Sequence, residues 1–266
     1  MAEQADIYRD FADFYDLYVG DQQSDLPLYL QWAKQANGPI LEVGAGSGRL
    51  TLPIARAGCR VTAVDVSPAM LERLQRRLQR EPDDVQDRTR VVLADMRDLD
   101  LGEAFDLVVV PFYTFNYVLT REDQRRALRS LTKHVSDAGR LVIDVFLPLG
   151  RIRNCPEEPV LKVHQFDLRT GKTVRGWNTY RIDRQRQIET RRHLFEVARR
   201  NGTIIRKEFV TQRRYSFPTE LDALFAGCGL QKEDVLSGSG DMASGGSERL
   251  IYVLRKRTGD TEAPIR

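Results

Sequence analysis

No run of 18 apolar residues occurs in the 266-residue chain, so no segment of it reads as a membrane-spanning helix. Cysteine is scarce. Cys59, Cys155 and Cys228 are odd in number, far apart and without a Cys-x-x-Cys pair, which points to reduced thiols in a cytoplasmic protein. The N-terminus is polar and acidic, the reverse of a signal peptide. Three histidines, dispersed along the chain, build no compact His/Asp/Glu set, so no metal is expected. Neither a recognisable RNA-binding module nor a tight Lys/Arg cluster interleaved with aromatics is present, which makes nucleic acid a poor partner.

What is present describes a globular chain, 41% hydrophobic and 30% charged, long enough for one large domain or a domain with an elaboration. The net charge of +3 is unevenly placed. Residues 1–150 carry 18 Lys and Arg against 23 Asp and Glu, a balance of −5; residues 151–266 carry 23 against 15, a balance of +8. The basic half fits an acidic small substrate or nucleic acid, or arginines spread over the solvent face of a sheet.

Residues 39–49, Pro-Ile-Leu-Glu-Val-Gly-Ala-Gly-Ser-Gly-Arg, organise the chain. A short apolar run suits a strand buried on both faces, and three alternating glycines let the backbone turn sharply against a ligand. A helix follows from Leu50 to Ala57. By itself this corner fits a nucleotide ligand or a ligand-free turn, because dinucleotide enzymes prefer Gly-x-Gly-x-x-Gly. Val61–Asp65 is a second strand ending in an acid, Val91–Met96 a third that carries Asp95, and Phe105–Pro111 a fourth. Ser67 and Pro68 read as an N-cap and first helical residue, with Met70, Leu71, Leu74 and Leu78 as the buried stripe.

Glu42 to Gly48, Asp65, Asp95-Met96 and the fourth strand, in this order and spacing, resemble the motifs of class I S-adenosylmethionine-dependent methyltransferases. The resemblance is close over residues 36–148. It implies an α/β fold: a Rossmann-like, doubly wound seven-stranded sheet using S-adenosyl-L-methionine and releasing S-adenosyl-L-homocysteine. It assigns Glu42, Gly44, Ala45, Gly46 and Pro111 to the cofactor cleft and Asp65 to the ribose. Val66 and Met70 become the apolar walls for adenine, with Asp95 on its amine and the Met96 N–H on a ring nitrogen. Arg49 is expected to pair with the cofactor carboxylate or with Glu42, a buried charge that needs a partner.

Two further segments are expected in the site. Phe11-Ala12-Asp13-Phe14-Tyr15-Asp16 is similar to a segment that folds over the cofactor in small-molecule methyltransferases, which places Tyr15 beside the cofactor carboxylate or the reacting methyl. Ile7, Phe11, Phe14, Tyr15 and Tyr18 fall near helical spacing. The loop Pro111–Val118 corresponds to a substrate-lining loop, with Phe112, Tyr113, Asn116 and Tyr117 as contacts and Asn116 and Tyr117 as polar catalytic handles. It lacks the Asn-Pro-Pro-Tyr or Asp-Pro-Pro-Tyr sequence that accompanies methylation of planar amides.

Thr120 and Asp123 open a helix near Arg121, Leu128, Leu131 and Val135 are its core side, and Asp137-Ala138-Gly139 reads as its stop before a fifth strand, Arg140–Phe146. Four strands then follow at Leu161–Leu168, Thr173–Ile182, Gln187–Val197 and Thr203–Tyr215, with turn signals between them. This antiparallel insertion resembles the lid of sugar-amine N-methyltransferases; Tyr180, Arg191 and Arg213 are its candidate substrate contacts. His164 and His193 could each be a general base, but in an exposed sheet they read as surface histidines. A helix over Thr219–Ala226 and strands at Leu230–Leu236 and Arg249–Arg255 complete the parent sheet.

The expected domains are an N-terminal cap (1–35), a cofactor-binding core (36–150), a lid (151–216), a return to the sheet (217–257) and a tail (258–266). The implied activity is methylation of a small polar metabolite, on nitrogen in preference to oxygen, by a monomer or homodimer. An RNA or protein methyltransferase, a NAD-dependent oxidoreductase and a cofactor-binding domain without turnover remain as alternatives.

Overall fold

A computed structural model of the chain describes residues 23–167, 172–239 and 248–257. The expected helix around Phe11 and the Tyr15 assignment lie outside these residues.

The elements in chain order are α1 (Leu26–Gln35), β1 (Ile40–Val43), α2 (Thr51–Arg56), β2 (Val61–Asp65), α3 (Pro68–Leu78), α4 (Asp83–Asp87), β3 (Thr89–Leu93) and β4 (Phe105–Val110). A 3-10 turn at Thr114–Tyr117 precedes α5 (Arg121–Lys133), β5 (Val135–Leu147) and α6 (Leu149–Arg153). Then come β6 (Val160–Asp167), β7 (Lys172–Asp183), β8 (Ile188–Ala198), β9 (Ile204–Arg214), α7 (Pro218–Ala226), β10 (Leu230–Ser239) and β11 (Glu248–Lys256).

Seven strands form one sheet in the order β10-β11-β5-β4-β1-β2-β3. Its β5-β4-β1-β2-β3 portion is parallel, and β11 runs antiparallel to both β5 and β10. Alternation along the central strands sends side chains into two cores. Leu41, Val43, Val108 and Val110 pack with α5 and α7 through Leu128, Leu131 and Phe225. Ile40, Leu107 and Val109 pack with α1 and α2 through Tyr29, Ala33 and Ile54. Each such buried aliphatic side chain contributes about 1.5–3 kcal/mol, and helices on both faces are the condition for apolar strands of this kind.

Local chemistry sets most boundaries. Ser67 Oγ accepts the Met70 N–H and Thr120 Oγ1 accepts the Asp123 N–H, so both helices start where side-chain caps answer otherwise unpartnered amides. Two expectations need correction. β3 ends at Leu93, so Asp95 and Met96 lie in the loop beyond it. No turn separates α5 from the fifth strand: β5 begins at Val135 and absorbs Asp137-Ala138-Gly139 as an irregularity opposite Phe105–Leu107. Gly139 is required there, because a Cβ would stand 2.8 Å from the Phe105 carbonyl oxygen.

β6-β7-β8-β9 form a separate antiparallel sheet inserted between β5 and α7. It is stapled to the large sheet by Asn116, which is 3% exposed. The Asn116 amide donates to the Phe146 carbonyl at 3.3 Å and the Arg214 carbonyl at 2.7 Å, while its oxygen accepts the Phe146 N–H at 3.1 Å. Both donor hydrogens are thus committed between β5 and β9. This corrects the expectation of a catalytic or substrate-contacting role for Asn116.

Asn116→Ala is expected to lower unfolding free energy by about 2–4 kcal/mol, since three backbone groups lose their partner at once. Urea denaturation checks this; a change within about 0.5 kcal/mol, the range of ordinary surface substitutions, refutes the staple.

Candidate active site

The site lies at the carboxyl ends of β1, β2 and β4, where open α/β sheets bind ligands. Gly44 has φ 81° and its N–H donates to the Val64 carbonyl at 2.7 Å; a Cβ there would run into Thr114. The glycine turn and the aromatic loop therefore touch. The Asp65 carboxylate closes the corner, accepting the Gly46 N–H and the Ser67 N–H at 2.8 Å each. Burial raises the Asp65 pKa, opposed by the backbone N–H groups of Ser67, Gly46 and Val66.

Glu42 sits in the β1 core, 2% exposed, and its Oε2 accepts the Thr51 hydroxyl at 2.5 Å. Burial lifts its pKa to about 7, against the pull of Thr51 and Arg49. Arg49 makes a bidentate pair with Asp25, at 2.6 and 3.0 Å, and its guanidinium lies 4.7 Å over the Phe112 ring. Its expected alternatives were the cofactor carboxylate and Glu42; its hydrogen-bond partner is Asp25. Arg249 bridges Asp25 (3.0 Å) to Asp144 (2.6 and 3.1 Å), and Asp144 accepts the Phe112 N–H at 3.1 Å. Burial lifts Asp144 to about 6, with Arg249 opposing.

The remaining candidates divide. Val66, 40% exposed, stands open beside Asp65, whereas Met70 is 2% exposed on the core side of α3 and forms no open wall. Asp95 is clamped by Arg97 at 2.6–3.1 Å, which outweighs burial and holds its carboxyl below the usual range. Arg97 also reaches Asp123 at 3.3 Å. Met96 packs against the core. Ala45 and Pro111 are buried at the corner, and Tyr117 is half-buried in the 3-10 turn. Phe112 and Tyr113 are stacked at 5.6 Å with φ of 53° and 65°. Two consecutive left-handed non-glycine residues cost on the order of 1–3 kcal/mol each, and Asp144 is part of what holds them.

On the inserted sheet, Tyr180, Arg191 and Arg213 lie together, Arg191 5.3 Å over Tyr180 and both arginines on Glu189, and two residues missed in the sequence join them. Glu189, fully buried, pairs with Arg151 (2.5 Å), Arg191 (2.5 Å) and Arg213 (2.9 Å). His193 is a second correction: it is 2% exposed, bonded to Thr211 at 2.9 Å, and burial with Arg191 nearby depresses its pKa to about 3. Asp144 carries a signal readable in sequence, an acid inside the apolar run from Leu141 to Leu147. Asp25, Arg151 and Glu189 carry none. Among the described residues, no group of three His, Cys, Asp or Glu side chains is arranged to hold a metal ion, and no helix is long and apolar enough to cross a membrane.

The strand order, the glycine corner and the acid at the tip of β2 define the class I S-adenosylmethionine-dependent methyltransferase fold, and residues 40–139 match the methyltransferase domain family. The chain is similar to the CcbJ methyltransferase of Streptomyces caelestis, with a TM-score of 0.76 at 24% identity over 95% of this chain and 98% of that one. It is similar also to CalS10, an amino pentose methyltransferase of Micromonospora echinaspora solved with S-adenosylmethionine bound (TM-score 0.63, 22% identity, 87% and 90% covered). Among curated proteins, dTDP-4-amino-2,3,4,6-tetradeoxy-D-glucose N,N-dimethyltransferase of Saccharopolyspora spinosa is 28% identical over 158 residues, 54% of this chain and 58% of that protein. The chain spans about half the length of the curated relatives it matches.

The Glu42 shift has a signed consequence. Its folded pKa of about 7 exceeds the ordinary 4.5, so its stabilising contribution is full below pH 4.5 and is lost as pH rises through 7. Unfolding free energy of the natural chain should fall by on the order of 3 kcal/mol more than that of Glu42→Gln across this window. Denaturant titrations at pH 4.5 and 7.5 check it; parallel pH profiles for the two proteins contradict the shift.

Proposed function

We propose that the chain is an S-adenosylmethionine-dependent methyltransferase that methylates a nitrogen of a small polar metabolite. The observation that carries this reading is the pair of carboxylates, buried Glu42 and half-buried Asp65, flanking the glycine turn. Two acids at that corner suit a cationic amino-acid tail and a ribose diol. An acid placed like Asp65 suits the ribose of NAD as well, but Glu42 beside the glycine turn is ill-matched to a pyrophosphate, so the residues present fit the sulfonium nucleoside better. Asp65 would hold the ribose, Val66 would cover the base, and Glu42 would face the methionine portion.

When bound, that cofactor supplies a methyl group already activated on sulfur. The protein's task is then to align an acceptor and exclude water. The strained Phe112-Tyr113 loop and the inserted sheet would serve as wall and lid. A neutral amine brings its own lone pair, whereas a hydroxyl needs a base. His193, with its pKa near 3, is a poor one. Nitrogen also agrees with the named activity of the N,N-dimethyltransferase of Saccharopolyspora spinosa. The basic half gives nucleic acid no support, because several of its arginines are taken by acids on the same sheet, Arg192 by Glu208 and Arg206 by Glu196.

Calorimetry should detect S-adenosylhomocysteine binding and no NAD binding, with Asp65→Ala weakening the former by about 10- to 100-fold. Radiolabelled methyl should pass to amines in small-metabolite extracts. Binding of NAD alone, or label found only in RNA or protein, rejects the reading.

A further inference from the structure

The loop after β3 is fastened by a single residue. Asp95 Oδ1 accepts the Arg97 backbone N–H at 2.9 Å and its Nε–H at 3.0 Å, while Oδ2 accepts the Nε–H at 3.1 Å and a terminal N–H at 2.6 Å. A carboxylate met by both a backbone amide and a guanidinium fork is fixed in orientation. Arg97 is held in turn by Asp123, at 3.3 Å, in the first turn of α5. Arg126 joins from the next turn, on Asp123 at 3.0 Å and on Asp98 at 2.6 Å. The side chains of Asp95, Arg97 and Asp123 are 19–24% exposed, so solvent screens this chain of charges only in part. Burial would raise the Asp95 carboxyl; Arg97 overrides it, and the group stays ionised and can only accept hydrogen bonds. Val66 and Leu93, 40% and 58% exposed, stand at the adjoining ends of β2 and β3, with Leu93 in register with Asp65. Asp65 and Asp95 thus bracket two open apolar side chains, a setting that suits a flat base with a hydrogen-bond donor on its edge.

We propose that Arg97 is a positioning residue that sets the base selectivity of the cofactor site, by holding the Asp95 carboxylate in the orientation that receives an exocyclic amine. This deepens the methyltransferase reading and rests on it. Adenine presents an amine donor beside a ring-nitrogen acceptor. Hypoxanthine presents a carbonyl acceptor beside a ring N–H, the reverse order. An ionised carboxylate fixed opposite the first of these atoms favours the amine and repels the carbonyl. Released from the fork, the same carboxylate could turn to meet the ring N–H of hypoxanthine, and the two bases would be told apart less well. Asp123 acts through Arg97, which makes α5 the outer support of the base loop. That helix begins directly after the aromatic loop, so the base end and the acceptor end of the cleft share one brace.

Calorimetry on the full chain compares S-adenosylhomocysteine with S-inosylhomocysteine, its 6-oxo analogue. The natural chain should prefer the adenine compound by about 10- to 100-fold. Arg97→Gln and Arg97→Lys should each cut that preference by about tenfold, chiefly by weakening the adenine compound, because neither offers the fork. Asp123→Asn leaves Asp95 and Arg97 in place and should cut it by about threefold, which keeps the test open where an Arg97 variant fails to fold. A brace with no part in selectivity would weaken both ligands alike and leave their ratio unchanged. That result, or a natural chain that binds both compounds equally, overturns the positioning role and leaves the cofactor reading standing. Binding of neither compound by the natural chain sinks the cofactor reading and the positioning role together.

Discussion

A carboxylate buried in the middle of a sheet has to be answered, and the answer given to Asp144 shapes the mouth of the cleft. Its strand is apolar on either side, and leaving the charge unpaired would cost several kcal/mol. Arg249, one strand over on β11, supplies the pair, and Asp25 at the start of α1 accepts the same guanidinium. Asp25 in turn fixes Arg49 beside the glycine turn, while Asp144 holds the Phe112 N–H. One chain of charges thus sets both loops that border the cleft. The strain of two left-handed aromatic residues is sustained because this network over-determines their position.

A second joint decides how the inserted sheet sits. Asn116 mimics a strand neighbour for Phe146 and spends its other hydrogen on Arg214. Nearby, Gln187 links Arg214 to Glu220 at 2.8 Å on each side, and Arg121 pairs with Glu220. These contacts tie β9, α5 and α7 into one corner. The sheet is therefore held at its edge, and its inner face, carrying Glu189, Arg213 and His193, is left to line whatever lies between the two sheets.

Features encoded by neighbours in sequence were legible from the chain alone. β2 ends at Asp65, α3 starts at the Ser67 cap, α5 at the Thr120 cap, and the four inserted strands lie within a few residues of their turn signals. Features fixed by distant partners were not. Asp95 read as the acid at a strand tip, yet Arg97 draws it into a loop pair. Gly139 read as a turn, yet the close approach of Phe105 makes it part of a bulged strand. Asn116 read as a handle for substrate because an amide in an aromatic loop has no evident local use; its partners lie 30 and 98 residues away.

The same distinction explains why His193 and Glu189 take opposite parts in the site. On an alternating strand, residues 189, 191, 193 and 195 share a face, and that face becomes interior only when β5 and α6 close over it. Burial alone drives a histidine neutral, and the Arg191 charge pushes the same way, so His193 stays an uncharged hydrogen-bond partner of Thr211. Glu189 accepts three guanidinium groups that would otherwise repel one another. A strand face that reads as solvated in sequence thereby becomes a charged interior surface.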